Sequence, residues 1–214
     1  MRLVMPRLYV ILDAGLMTGS IEDTTEKLIE AGALALQYRN KKDGAREVLE
    51  VARRLAGIAR SSGVNFFVND RADIARLCGA PGVHVGQEDL GVEQARVVMG
   101  AEGWIGVSTH SEAQFRKAAQ TSADYIAVGP IFGTTTKENP DPVVGTELIR
   151  SVRALTTKPI VAIGGITLER AAEVLEAGAD SVAVISDILR AQDPAQRAGE
   201  FLRRLEAVKP TVSH

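Results

Sequence analysis

Glu30-Ala31-Gly32-Ala33-Leu34-Ala35-Leu36-Gln37-Tyr38-Arg39-Asn40-Lys41 and Glu176-Ala177-Gly178-Ala179-Asp180-Ser181-Val182-Ala183-Val184-Ile185 follow one plan at opposite ends of the chain. In each, a helical pattern closes on Ala-Gly and a short apolar run begins. The Ala-Gly pair lets the chain leave the helix through a left-handed turn and pack closely against a sheet. Outward from these two segments, short apolar, β-branched runs alternate with longer amphipathic stretches along the whole chain. Strands are predicted at Leu8–Leu12, Leu34–Tyr38, Asn65–Asn69, Gly82–Val85, Trp104–Ser108, Tyr125–Gly129, Pro159–Ile163 and Ser181–Ile185. Helical patterns between them include Ile21–Ala31, Ala45–Ser62, Ser111–Thr121 and Thr167–Ala177, and Ser111 with Gln114 reads as a capping box. Gly32, Gly63, Gly79, Gly100 and Gly178 stand where helices should end.

Eight strand-helix units of roughly 27 residues match the count of a (β/α)8 barrel, which needs at least ~200 residues. The alternative, a doubly wound open sheet, usually carries spaced glycines after its first strand. Here that turn reads Asp13-Ala14-Gly15-Leu16-Met17, without them. No Pro/Ser-rich linker divides residues 1–214, so a single α/β domain, a TIM barrel, is expected.

The chain has 214 residues, of which 45% are apolar and 24% charged, enough for one sizeable core. Its 25 Lys+Arg against 27 Asp+Glu leave a net charge of -2, which argues against nucleic acid as a partner. No apolar run approaches the ~18 residues of a membrane span, and Pro6 breaks the N-terminal stretch too early for a secretory signal. The one cysteine, Cys78, forms no internal disulfide and reads as a structural thiol in a reducing compartment. A cytoplasmic protein is expected. A homodimer is compatible with the sequence, in which surface-facing apolar residues cannot be told from core.

In a barrel of this type the chemistry sits at the carboxyl ends of the strands. The second strand ends with Gln37, Arg39 and Lys41 on one face, two cations and an amide suited to a phosphorylated ligand that carries a hydrogen-bonding ring. The third and fourth strands bring Asp70 and Asp89 to the same rim. These carboxylates either hold Mg²⁺ together with water and substrate phosphates, or cap helices; the basic strand end opposite them favours the metal. His84, inside its strand, reads as a satisfied core histidine. Ser108 and His110 lack both the elbow and the orienting acid of a hydrolase, so Ser108 is expected to line a pocket and His110 to enter a helix. After the sixth strand comes the longest connection, with Thr134, Thr135, Thr136 and Lys137, suited to an anionic substrate and a mobile lid. Gly164-Gly165, ahead of Thr167 as an expected N-cap, and Ile185-Ser186 occupy the turns where such barrels often bind phosphate. No lysine lies within a predicted strand, since Lys158 precedes the seventh at the inert bottom face, and no His/Cys cluster has zinc spacing.

These blocks resemble those of the thiamine phosphate synthase family along nearly the whole chain: Gln37-x-Arg39-x-Lys41, Phe67-Val68-Asn69-Asp70, Gly82 through Asp89, Gly106 through His110, Gly129-Pro130-Ile131-Phe132, Thr134-x-Thr136-Lys137, Ile163 through Ile166 and Ile185-Ser186. The resemblance implies an Mg²⁺-dependent condensation of hydroxymethylpyrimidine diphosphate with a thiazole phosphate. The products would be thiamine phosphate and diphosphate, with CO2 released if the thiazole is carboxylated, and the path a dissociative pyrimidine carbocation. It also implies that Gln37 holds the pyrimidine, Arg39 and Lys41 the diphosphate, and Asp70 and Asp89 the metal. Asn69 and Ser108 would lie between the substrates, and Lys137 would meet the departing diphosphate. Thr134 and Thr136 would contact the thiazole, and Gly165, Ile185 and Ser186 its phosphate. Tyr38, Asn40 and Thr135 complete the implied substrate-binding set, and Arg39, Lys41, Ser108 and Lys137 the catalytic one. Two residues depart from the family pattern: Gly133, where proline is expected, and Asp187, where a small residue is frequent. The rival readings are a thiazole tautomerase using His110, which would not need the diphosphate-binding set, and a barrel that binds ligand without turnover.

Overall fold

In the computed structural model, which describes residues 3–134, 136 and 141–209, eight parallel strands pair in chain order and the eighth pairs with the first. They are β1 (Leu8–Asp13), β2 (Ala35–Arg39), β3 (Asn65–Asn69), β4 (Gly82–Val85), β5 (Trp104–Thr109), β6 (Tyr125–Val128), β7 (Ile160–Ile163) and β8 (Ser181–Val184). Around them run α1 (Ile21–Glu30), α2 (Ala45–Ser61), α3 (Ala72–Cys78), α4 (Val92–Met99), α5 (Glu112–Ala119), α6 (Gly145–Val152), α7 (Ala171–Glu176), α8 (Ser186–Leu189) and α9 (Pro194–Glu206). This is the (β/α)8 barrel expected from the sequence, and every predicted strand is present with its ends displaced by at most one residue. Among the described residues no helix is long and apolar enough to cross a membrane.

Closure of the sheet creates two apolar compartments, and strand alternation assigns residues to them. In β1, Leu8, Val10 and Leu12 pack outward against the helices, while Tyr9 and Ile11 join the barrel interior. The interior also holds Ala35, Phe67, Tyr125, Ala127, Val161 and Ala183, and Leu3 and Met5 of the N-terminal segment pack into it ahead of β1. Three aromatic rings fill its centre: Tyr9 and Phe67 lie 5.4 Å apart, Phe67 and Tyr125 5.5 Å, and Tyr9 and Tyr125 6.1 Å, all edge to face. Two strand glycines make the room. A Cβ on Gly82 would come within 2.3 Å of the Phe67 ring, and one on Gly106 within 2.0 Å of the Tyr125 ring.

The repeated Ala-Gly exits behave as expected, with Gly32 at φ 99° and Gly178 at φ 110°. Ser111 caps α5, its Oγ accepting from Gln114 N at 3.2 Å. The reciprocal half of the box is displaced by one residue, because Gln114 Oε1 accepts from His110 N at 2.7 Å. The seventh helix corrects the sequence reading: it begins at Ala171, and Thr167–Arg170 form a turn closed by Arg170 N to Thr167 O at 3.1 Å. A tertiary contact outweighs the local N-cap signal there, since Leu168 N donates to the Asp187 carboxylate at 3.1 Å. Cys78 is buried, its thiol held in the protonated form by desolvation, as befits a packing residue.

Substituting Gly106→Ala should destabilise the protein by about 1–3 kcal/mol, because the added Cβ would overlap the fully buried Tyr125 ring. Gly57→Ala, within α2 where a Cβ meets nothing within 4 Å, should instead be neutral or stabilising by up to ~1 kcal/mol. Urea denaturation of the two variants beside the wild type measures both.

Candidate active site

Alternate residues at the carboxyl ends of β1 to β5 turn polar side chains toward the barrel mouth. Asp13 and Arg39 are register partners on β1 and β2, and the Arg39 guanidinium donates to the Asp13 carboxylate. Asp13 is buried, and its other oxygen accepts from Gly15 N at 2.9 Å. Two residues along from Arg39, Lys41 donates from Nζ to Asp70. Each cation predicted at the second strand end is therefore matched to a carboxylate. Gln37, also buried, donates from Nε2 to the Tyr9 hydroxyl at 2.7 Å. Tyr38 does not join these side chains: alternation buries it in the outer layer between sheet and helices. Asn40 donates to the Tyr38 hydroxyl and to Asp43, and accepts from the amides of Lys42 and Asp43, so its side chain organises the turn.

Asp70 and Asp89 do not cap helices. The residues preceding α3 and α4 in the cap position are Arg71 and Gly91, neither with a side-chain cap bond. Asp70 is the one non-glycine residue at positive φ (61°) among the described residues, an arrangement that costs energy and that Asp tolerates better than most. Its amide donates to His84 O at 2.7 Å. Its carboxyl is held above the usual carboxylate range, first by burial and then by Asp89 within hydrogen-bonding reach, against the pull of Lys41. One Asp89 oxygen accepts from Gly86 N at 2.7 Å. Two crowded carboxylates around one ammonium make a locus where added positive charge is stabilising. Among the described residues no three or more His, Cys, Asp or Glu side chains converge on a metal site. A carboxylate pair alone suits Mg²⁺, which retains water and takes further oxygens from phosphate.

His84 is buried between two hydroxyls, with Nδ1 2.8 Å from the Tyr125 hydroxyl and Nε2 2.8 Å from Ser108 Oγ. It is thus the satisfied core histidine the sequence indicated. The histidine beside Ser108 is this one and not His110, whose Nδ1 donates to Gly129 O and whose Nε2 lies 3.5 Å from Asp141. Burial lowers the His84 pKa to about 4, with Asp89 and His110 acting in smaller, opposite senses. A base that weak, with a tyrosine rather than a carboxylate behind it, is no hydrolase relay.

On the opposite side of the mouth, the segment after β6 is sewn to the turn after β7. Ile131 N donates to Ile163 O at 2.9 Å and Phe132 N to Gly164 O at 3.0 Å, and the Arg170 guanidinium lies 4.5 Å from the Phe132 ring centre. Thr136 N donates to Thr134 Oγ1 at 3.3 Å; Thr135 and Lys137 lie outside the described residues. Gly165, at φ 62°, would drive a Cβ to 2.3 Å from Gly133 O, so loop packing by itself demands glycine there. Gly133 has nothing within 4 Å of an added Cβ among the described residues. Ile185 precedes α8, whose first residue is Ser186. The Asp187 carboxylate turns to Leu168 N and to the Arg197 guanidinium, which lies 3.0 Å away and is shared with Glu200 and Glu169.

A family model described as thiamine monophosphate synthase matches residues 8–188. The chain belongs to that family. It is 50% identical over 210 residues to the thiamine-phosphate synthase of Koribacter versatilis, covering 96% of this chain and 98% of the relative. It is 43% identical to the thiamine-phosphate synthase of Chloroflexus aurantiacus, over 94% and 93% of the two chains. Its fold superposes on the thiamine phosphate pyrophosphorylase of Pyrococcus furiosus with a TM-score of 0.86 and 34% identity, over 94% of this chain and 96% of that one. Family membership makes the protein a transferase of thiamine biosynthesis. Within this thiamine monophosphate synthase fold, sequence reading missed Asp13, Tyr9 and Tyr125. Period-2 alternation sets Tyr9, Ile11 and Asp13 on one face of β1, without marking that face as the inward one, and nothing local marks Tyr125.

The neutral, buried His84 makes stability depend on pH. Its folded pKa lies below the ordinary 6.5, so the unfolded chain binds the extra proton, and the contribution is complete above pH 6.5 and lost as pH falls toward 4. Between pH 7 and pH 5 the wild type should lose about 2 kcal/mol that a His84→Asn variant does not lose. Urea unfolding of both proteins at the two pH values reads that difference.

Proposed function

We propose that this transferase joins 4-amino-2-methyl-5-hydroxymethylpyrimidine diphosphate to a thiazole phosphate, with Mg²⁺ held by Asp70 and Asp89. The observation that carries the reading is the rim cluster in which Lys41 lies against Asp70, Asp89 adjoins it, and the Arg39–Asp13 pair stands on the neighbouring strands. Such a cluster suits a diphosphate with its metal. When bound, Mg²⁺ supplies positive charge that stabilises the diphosphate as it departs.

The chain's own residues account for the rest. Lys41 and Arg39 bind phosphate oxygens and offset the charge that grows as the C–O bond to the methylene breaks and its electron pair leaves with the diphosphate. Gln37 orients the pyrimidine ring, whose amino group feeds electron density to the cationic methylene. Asn69 and Ser108 line the gap in which the thiazole nitrogen donates its lone pair to that carbon and forms the new C–N bond. Thr134 and Thr136 flank the thiazole, and Gly165 with the Ile185-Ser186 turn receives its phosphate. Lys137 is assigned to the leaving diphosphate. No strong base is required, in keeping with a His84 too weak and a His110 already engaged with Gly129. Positioning and electrostatics carry the acceleration.

Incubation of the purified protein with both substrates should yield thiamine phosphate and diphosphate in Mg²⁺ and neither in EDTA. Asp70→Ala and Lys41→Ala should each lower kcat/KM by on the order of 10²–10³ while the far-UV circular dichroism is unchanged. Wild-type-like coupling by either folded variant would refute the assigned roles. Thiazole isomerisation without coupling would favour the tautomerase reading instead.

A further inference from the structure

Five side chains from five strands form one hydrogen-bonded file through the barrel interior. Gln37 Nε2 donates to the Tyr9 hydroxyl at 2.7 Å, which lies 3.2 Å from the Tyr125 hydroxyl. That hydroxyl is 2.8 Å from His84 Nδ1, and His84 Nε2 is 2.8 Å from Ser108 Oγ. The two ends, Gln37 and Ser108, are substrate-facing residues in the function proposed above; the three in the middle contact neither substrate there. Tyr9, Tyr125 and His84 are all buried.

The Gln37 end sets the direction of every proton in the file. An amide N–H can only donate, so the Tyr9 oxygen accepts from Gln37. If Tyr125 also donated to it, the Tyr9 proton would be buried with no acceptor, which costs far more than the chain gains. Tyr9 therefore donates to Tyr125, and Tyr125 donates to His84 Nδ1. A neutral imidazole that accepts at Nδ1 carries its proton on Nε2, which donates to Ser108 Oγ. With its oxygen thus engaged as acceptor, the Ser108 hydroxyl keeps its own proton for a partner outside the file. At the other end, with the Gln37 amide turned nitrogen-first toward Tyr9, Oε1 accepts no hydrogen bond from a described residue.

We infer that Tyr9, Tyr125 and His84 are positioning residues that polarise the barrel interior, presenting Gln37 Oε1 as an acceptor and the Ser108 hydroxyl as a donor to the bound ring. An acceptor at Gln37 matches the exocyclic amino group of the pyrimidine in the function proposed above. This ligand-facing consequence rests on the function proposed above; the proton order does not.

Two-bond ¹⁵N–¹H correlation spectra of the ligand-free protein at neutral pH test the order directly. The chain has three histidines, and a His84→Asn variant identifies the His84 signals. The expected result is a pyridine-like Nδ1 and a protonated Nε2; a protonated Nδ1 overturns the inference, whatever the enzyme catalyses. Tyr125→Phe keeps the ring seated over Gly106 and removes only the hydroxyl. It should shift the His84 tautomer balance and lower kcat/KM for the pyrimidine diphosphate roughly tenfold, leaving KM for the thiazole phosphate unchanged. A lowered melting temperature with unaltered tautomer and kinetics would make the file merely structural and reject the positioning role. Should Tyr125→Phe not fold, Tyr9→Phe breaks the file one link earlier and is held to the same outcomes.

Discussion

The seating of the Tyr125 ring over Gly106 is the constraint on which the upper half of the barrel depends. A closed eight-stranded barrel has an interior just wide enough for side chains to fill, and here large aromatic rings share it with two strands stripped of side chains at Gly82 and Gly106. With those glycines in place, Tyr125 reaches across to both Tyr9 and Phe67. Its hydroxyl then lies level with His84, where strand pairing has already set Gly106 beside that residue. Packing and polarity are thus decided together. The rings bury apolar surface below, and their oxygens satisfy the polar groups above, which would otherwise be a heavy penalty in so dry a place.

Above that layer the rim is organised by charge. Arg39 with Asp13 and Lys41 with Asp70 place opposite charges close together, and Asp89 beside Asp70 leaves the latter group with excess negative charge. The left-handed backbone at Asp70 belongs to the same arrangement: its amide is tied to His84 O while its carboxylate meets Lys41. A strained conformation at a residue whose side chain already lies in a crowded acidic site is stability given up for position. Positive charge added beside the Asp70–Asp89 pair would relieve the same repulsion that Lys41 offsets in part.

Much of this was legible in the sequence, because turn chemistry and strand length are local. The Ala-Gly exits, the eight short apolar runs and the polar residues gathered after them fixed the barrel and most of its rim. Asp13 was not legible, since β1 is buried on both faces and its apolar run carries no contrast between inward and outward positions. Tyr9 and Tyr125 escaped for a different reason. They are 116 residues apart and meet only because the barrel closes, and no local pattern encodes a contact of that kind. Tyr38, which the family resemblance implies in substrate binding, is sent by alternation to the outer layer.

The turn after β7 shows how a local signal can be right in chemistry and wrong in place. Thr167 is a sound N-cap residue, yet α7 starts at Ala171 because Asp187, carried on α8, takes the Leu168 amide and ties the turn to Arg197 of α9. The same contact removes the difficulty that Asp187 raised as a departure from the family pattern. Asp187 is not an unpaired anion: it accepts from the Leu168 amide and shares the Arg197 guanidinium with Glu200 and Glu169. Gly164 and Gly165 fit the same account, since their positive φ values and the loop backbone pressed against them leave room for no side chain. The β7 turn is therefore held by neighbours on both sides, by the β6 segment through Ile131 and Phe132 and by α8 through Asp187. A turn fixed that firmly keeps its backbone amides in one orientation.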